Sequence, residues 1–374
     1  VRAVRTAADL SRFIDLPYRL LAAEPNWVPP LRFDVRTQLD RKKNPFFEHA
    51  VAEYFLAERD GKVVGRISAI DNRLHYETHP DDRVGFFGWF ECADDQTVAD
   101  ALFEAAGGWI RARGLPVMRG PASFSVNDDC GLLVEGFETP NVLLTPWHPP
   151  YYGRLVERAG FAKVKDLILY EGGHAEHYAI PPARALRAEE IIAKRYGVKL
   201  RYLKVDDFDA EVDRVKVLYN KCWEKNWGFI PMTDAEIEHL AKQFRPVVIP
   251  EMVAIAETAG GEPVGFALGL PDLNQVLRSN RNGRLIPGLI RIFWGLKRRI
   301  IKRARVALLG VVPEFRGTGL DVVVHHRVWT GAGSRGIYWG EGGWTLEDNV
   351  SIRHGLEKMG FVAYKTLRMY DKPV

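Results

Sequence analysis

A repeat of about 200 residues constrains what this chain can fold into more than any other feature of its sequence. Asn26-Trp27 recurs as Asn226-Trp227, Gly61 and Val64-Gly65 as Gly261 and Val264-Gly265, Gly160-Phe161 as Gly360-Phe361, and Tyr170 as Tyr370, each pair 200 positions apart. Between them lies a stretch with an offset of 222, in which Gly88 faces Gly310 and Arg113-Gly114 faces Arg335-Gly336. A chain of 374 residues is too long for one ordinary core. Residues 1–175 and 195–374 are therefore expected to form two copies of one domain. The change of offset also locates the differences between them. Copy one carries about 22 additional residues between Ala122 and Trp147, and copy two regains the same number between Leu270 and Arg305. Loops grafted on a rigid scaffold are a common seat of specificity, so both insertions are expected to border the functional cleft.

Charge and cysteine content exclude several function classes. The 52 Lys and Arg residues against 48 Asp and Glu leave a net charge of only +4, too little for a nucleic-acid footprint. Cys92, Cys130 and Cys222 are an odd set without CxxC spacing, which argues against a disulfide framework and a thiolate metal site. No metal site is expected. No stretch reaches 18 apolar residues and the N-terminus opens on Val1-Arg2, so the sequence reads as a cytoplasmic protein.

Each copy reads as helix, three strands, helix, strand, helix, strand. The opening helices, Ala8 to Ala23 and Asp209 to Lys225, carry apolar residues at three- and four-residue intervals. Hairpins are predicted around Asp60-Gly61 and Gly260-Gly261. A third strand (Val84 to Phe90; Arg305 to Val312) leads into a helix (Gln96 to Arg113; Leu320 to Ser334), then a short strand (Leu115 to Arg119; Ile337 to Glu341). The fold class is α/β, with a mixed α+β sheet.

The copies part at the start of the central helix. Copy two reads Leu309-Gly310-Val311-Val312-Pro313-Glu314-Phe315-Arg316-Gly317-Thr318-Gly319-Leu320, whereas copy one has Asp94-Asp95-Gln96-Thr97 at the corresponding turn. Glycines at 317 and 319 let backbone N–H groups crowd round a phosphate, and the following helix offers its positive end. Two carboxylates at the same place in copy one satisfy the helix themselves and repel an anion. The copy-two segment resembles the cofactor motif of the GNAT superfamily of N-acetyltransferases, a strand ending in V-x-P followed by R-x-x-G-x-G/A. Glu347-Asp348-Asn349, followed by Gly360-Phe361, is similar to that family's second motif.

This resemblance implies two tandem GNAT-like acyl-CoA N-acyltransferase domains, the first degenerate. It implies acetyl-CoA or another acyl-CoA as co-substrate, held by Leu309, Val311, Val312, Arg316, Gly317, Thr318, Gly319 and Asn349. The reaction it implies is direct attack of a primary amine, on a small molecule or a peptide, at the thioester. Such attack needs a base and an acid. Glu341, then Glu347, are the expected bases, on or just after the strand lining the cleft. Two positions depart from the pattern. Asp321 stands where the family has glycine or alanine, and Leu356 where it has the tyrosine that serves as acid, with Tyr338, Tyr364 and His354 as substitutes. These departures keep open a non-catalytic coenzyme A-binding or interaction protein. Paired GNAT copies that draw amino acids from aminoacyl-tRNA are a third option, which the Arg316–Gly319 loop disfavours.

The insertions admit more than one reading. Ser123-Phe124-Ser125-Val126-Asn127-Asp128-Asp129-Cys130-Gly131 is either a capped surface loop or an arm reaching across to a basic acceptor. Residues 285–303 interleave bulky apolar side chains with Lys and Arg at near-helical spacing. That pattern suits a helix packed on its domain, a tunnel wall, or a peripheral membrane contact. Most of the ten tryptophans are expected in the core. The chain is expected as a monomer or a homodimer.

Overall fold

The computed structural model of the chain describes residues 1–173, 183–224 and 226–374. The expected end of the first domain at residue 175 and the expected end of the second opening helix at Lys225 lie outside the described residues. Copy one supplies strands β1 (Arg2–Ala3), β2 (Ala50–Arg59), β3 (Lys62–Asn72), β4 (Val84–Cys92), β5 (Val117–Gly120), β6 (Leu132–Glu135) and β7 (Ala162–Gly172). Copy two supplies β8 (Lys199–Tyr202), β9 (Val253–Glu257), β10 (Pro263–Pro271), β11 (Arg303–Val311), β12 (Trp339–Leu346) and β13 (Val362–Pro373). All thirteen join one sheet.

Local chemistry accounts for the elements that the sequence predicts. Asp60 and Gly61 both take positive φ, 52° and 73°, and Arg59 pairs with Lys62. That is the two-residue turn whose twist matches a right-handed hairpin. The helix Gln96–Arg111 begins where Asp95 Oδ1 accepts from Thr97 N (3.0 Å) and Val98 N (3.3 Å). Its counterpart Leu320–Ser334 begins at Gly319 with no side-chain cap.

The order across the sheet is β1-β2-β3-β4-β5-β13-β7-β12-β11-β10-β9-β8, with β6 beside β13. The closing strand of each copy therefore lies in the other copy's half. β13 runs antiparallel to β5, and β7 antiparallel to β12. At the centre β7 pairs with β13, and Leu167 faces Leu367, its own counterpart at the offset of 200. Facing equivalents of this kind mark a local two-fold relation between the copies.

The exchange is held by apolar burial and by ion pairs. Leu167, Leu169, Leu367 and Met369 are buried, each contributing about 1.5–3 kcal/mol before entropy is counted. Arg119 grips Asp371 with two bonds of 2.8 Å, and Arg368 grips Asp166 with bonds of 2.8 and 3.1 Å. Paired fork geometry of this sort fixes register as well as adding energy.

Candidate active site

A cavity of about 1670 Å³ opens between the copies. Its floor begins with β11. That strand pairs antiparallel with β10 from Ala304 to Val311, but parallel with β12 only from Arg303 to Val306. Beyond Val306 the two parallel strands splay, and the β12-side edge of Ala307–Val311 faces the cavity rather than a neighbouring strand. Leu309 and Val311 line the cavity there, within reach of an extended ligand carrying amide groups. Val312 differs from expectation. Its N–H donates to Val264 O (3.0 Å) and its carbonyl accepts from Phe315 N (3.0 Å), so neither main-chain group is available to pantetheine.

The loop after β11 has the shape that a phosphate needs. Gly317 and Gly319 take φ of 73° and 88°, and a side chain at either would project into open space. The N–H groups of Gly317 and Gly319 meet no acceptor among the described residues and stay open to an anion, whereas those of Arg316, Thr318 and Leu320 donate to Pro313 O, Phe315 O and Thr318 Oγ1. Arg316 and Gly317 line the cavity. The Arg316 guanidinium donates to Cys222 O (2.8 Å) and ties the loop to the helix Phe208–Trp223. Thr318 serves the turn itself, its hydroxyl donating to Phe315 O (2.6 Å). Asn349 lines the cavity and caps the helix Val350–Lys358 through Oδ1. A phosphate-bearing acyl thioester therefore fits the loop and the splayed edge together.

Copy one closes the equivalent places. Arg59 and Arg154 pair with Asp95 and Asp94, and the Asp95 carboxylate caps its helix. Where β4 leaves β5, Ala122 N donates to Phe87 O (2.8 Å), so the chain after β5 fills the splay. Copy one offers wall instead of donor site.

The bases expected from the sequence do not reach the cavity. Glu341 is wholly buried, accepts a hydrogen bond from the Tyr364 hydroxyl and faces Arg305 at 3.5 Å. Arg305 also donates to the carbonyls of Leu143, Leu144 and Gly343. Glu341 is thus the counter-ion of a buried clamp that anchors the copy-one insertion. Glu347 accepts from Lys163 Nζ (2.7 Å) and Asp166 N (3.0 Å), joining copy two to β7. Neither carboxylate lines the cavity, nor do Tyr338, Tyr364 or His354. Leu356 does, as part of an apolar group with Tyr170, Trp329 and Phe361.

Both insertions line the cavity. The arm Ser123–Gly131 crosses to copy two, where Asn127 Nδ2 donates to Ile230 O (3.0 Å) and Tyr219 donates to Asn127 Oδ1 (2.9 Å). It carries Asp128, whose accessible surface opens into the cavity. Asp128 Oδ2 accepts from Ser125 N (3.2 Å) and Ser125 Oγ (3.0 Å), while Oδ1 has no hydrogen-bond partner among the described residues. Desolvation pushes its carboxyl up to about 7, against the pull of Ser125 and with the help of the charges on Glu236 and Asp129. A carboxylate poised near neutrality is suited to accept a proton. His148 and His325 also line the cavity, and burial holds each down at about 4, hence neutral. His148 Nδ1 accepts from Leu133 N (3.1 Å), which assigns its proton to Nε2.

Comparison with known proteins settles the family. The bacterial ceramide synthase of Caulobacter vibrioides is 38% identical over 374 residues, covering 99% of this chain and 96% of that protein. Protein YghO of Escherichia coli is 32% identical over 379 residues, covering 100% and 95%. Among solved structures, a tandem GNAT protein from the clavulanic acid biosynthesis pathway superposes with a TM-score of 0.58 at 13% identity, covering 99% of this chain and 97% of that one. The chain belongs to the family of these two relatives, and its fold is that of a tandem GNAT protein. A GCN5-related N-acetyltransferase from Sphaerobacter thermophilus shares the fold too, with a TM-score of 0.53 at 14% identity, covering 100% and 94%. No family model matches the chain. The fold is thus that of GNAT N-acyltransferases, and the relative that is 38% identical is named a ceramide synthase.

The GNAT motif led to the Arg316–Gly319 loop, but Asp128, Tyr219, His148 and Arg305 carried no motif. The one signal for Asp128 is a pair of adjacent acids, Asp128-Asp129, inside an insertion present in one copy.

Proposed function

We propose that this protein transfers a long acyl chain from acyl-CoA to the primary amine of an amphiphilic lipid precursor. The observation that carries the reading is the cavity. Its volume of about 1670 Å³ exceeds the ~300–1,000 Å³ of ordinary small-molecule sites, and its wall is largely apolar, including Trp27, Leu31, Trp147, Trp227, Leu277 and Trp344. An acetyl group and a small polar amine leave most of that wall unused. The name of the ceramide synthase relative, which denotes N-acylation of a long-chain amine, supports the same substrate class.

In this reading the Arg316–Gly319 turn and the helix start at Leu320 hold the donor's pyrophosphate. The free edge of β11 at Leu309 and Val311 holds its pantetheine amides. A backbone N–H of that edge stabilises the oxyanion as it develops. Asp129 attracts the acceptor as its ammonium, which enters the reaction after losing one proton to solvent. As the C–N bond forms, Asp128 Oδ1 takes the second proton, the C–S bond breaks, and coenzyme A leaves as a thiolate that is protonated from solvent. Arg305 and Glu341 position the insertion that carries both acids. The test is thiol release from acetyl- and palmitoyl-CoA, each offered a short amine and a long-chain amino alcohol. The expected result is turnover at least tenfold faster for the long–long pair, since each buried methylene is worth about 0.8 kcal/mol. Equal rates for acetyl-CoA and the short amine would overturn the substrate class.

A further inference from the structure

The helix Leu285–Lys297 in the copy-two insertion presents three faces. Gly288 and Gly295 form the packing face, where a side chain would collide with Leu31 and with Val276. Leu289, Ile292, Phe293 and Leu296 face the cavity and form part of its wall. The third face is Ile286, Ile290 and Trp294, continued by Ile300; these are 71, 52, 41 and 53% exposed and belong to no cavity wall. Large apolar side chains on one outward face, beside a cavity lined by the same helix, need an apolar partner in function.

The charge of the segment identifies that partner. Between Leu273 and Lys302 the sequence has eight Lys and Arg residues and no Asp or Glu, whereas the whole chain nets only +4. Lys297, Arg298, Arg299 and Lys302 are exposed and form no ion pair among the described residues. The Arg298 guanidinium lies 4.4 Å from the Trp294 ring centre and the Lys297 ammonium 5.6 Å from it, so cation and indole share one border. An apolar face edged by tryptophan and unpaired bases matches the boundary between acyl chains and anionic headgroups.

We propose that this helix docks on an anionic membrane surface and seats the mouth of the cavity against the lipid from which the acceptor is drawn. The purpose rests on the substrate class argued above, but the docking does not. No helix among the described residues is long and apolar enough to cross a membrane, so the contact is interfacial.

The test is flotation of the full chain with vesicles of phosphatidylglycerol and phosphatidylethanolamine, against vesicles of phosphatidylcholine. Binding to the anionic vesicles is expected to exceed binding to the neutral ones by at least tenfold and to weaken with salt. Arg298→Glu/Arg299→Glu is expected to reduce it at least tenfold, at roughly fivefold per base. Ile290→Ser/Trp294→Ser is expected to reduce it at low salt as well. Brominated acyl chains are expected to quench wild-type fluorescence more than that of Trp294→Phe. Circular dichroism and acyl-CoA affinity without vesicles, expected to be unchanged, separate loss of docking from loss of fold or of the donor site. Equal binding to both vesicle types, or anionic binding unaffected by both double substitutions, overturns the proposal. So does a concentration-dependent dimer that Ile290→Ser/Trp294→Ser dissolves, because a second copy then covers the face.

Discussion

Replacing Asp128 by Asn separates its chemistry from its place in the fold. The amide keeps the size of the carboxyl and can still accept from Ser125, whose N–H and hydroxyl lie 3.2 and 3.0 Å away, but it cannot take a proton. Loss of general-base catalysis costs roughly 10²–10⁴ in rate, about 3–5 kcal/mol of barrier. The wild-type carboxyl, pushed up to about 7, is half ionised there. Below 7 its kcat/KM is expected to fall about tenfold per pH unit more steeply than protonation of the acceptor amine alone requires, and this added steepness is expected to vanish in Asp128→Asn. Stability is expected to move the other way. A carboxyl raised from 3.8 to about 7 on folding keeps its proton in the native state while the unfolded chain releases it, so stability falls as pH rises from about 4 to 7. The Asn variant lacks this penalty and should melt higher than wild type at pH 8, with no difference near pH 3. Thiol release with a chromogenic disulfide, over pH 5.5–9 and at saturating acyl-CoA, measures the first effect, and thermal melts measure the second. A variant that keeps its rate within threefold, or keeps the added steepness below pH 7, refutes the assignment of Asp128 as base.

Four further substitutions or dissections address the remaining parts. Gly319→Glu places a carboxylate at the anion site and forces a left-handed φ of 88°, costing about 1–2 kcal/mol and abolishing calorimetric binding of acyl-CoA. Asp95→Ala at the copy-one turn should cost about 1 kcal/mol of stability through its lost cap and leave that binding unchanged. Glu341→Gln leaves Arg305 without a counter-ion and is expected to destabilise by about 3–5 kcal/mol, while turnover per folded molecule holds; a slow but fully stable variant would return Glu341 to the role of base. Residues 1–175 and 195–374 made separately should each be aggregation-prone, and should recover cooperative melting only when co-expressed.

Local signals were legible because they are local. Asp60-Gly61 can turn a hairpin in few other ways, and Gly317-x-Gly319 before a helix marks a strand-to-helix turn of positive φ. The helix Leu320–Ser334 has the limits that its sequence implies. The exchange of β7 and β13 left no such trace. Both closing strands carry the same pattern, down to Tyr170 and Tyr370, so nothing in either dictates whether it pairs with its own copy's sheet or the other's. The choice is made by contacts that the sequence separates widely, such as Arg119 with Asp371. Glu341 was misleading for a related reason. It lies on β12, which lines the cleft with Gly342 through Leu346, but its carboxylate is engaged by Arg305 and Tyr364. An acid on a lining strand and an acid at the surface of a cavity read alike until packing is known.

The asymmetry between the copies explains why a duplicated fold keeps one site. In copy two the splay of β11 from β12 is left open, and the loop at its end is bare of side chains. In copy one the equivalent splay is filled when Ala122 donates to Phe87, and Gly88 is needed because any side chain there would strike the Ala122 carbonyl. The chain that fills the splay continues as the insertion, so closing the edge of β4 and building the arm with Asp128 are a single structural event. The exchanged strands then fix that arm across copy two, with Arg305 of β11 holding Leu143 and Leu144 of the same insertion. Copy one thus has a closed edge where copy two has an open one, and it supplies Asp128 and part of the apolar wall. Neither half is complete alone, and restoring glycines at Asp94 and Asp95 would not recover a second site, because the Ala122–Phe87 bond would still close the edge on which pantetheine must lie.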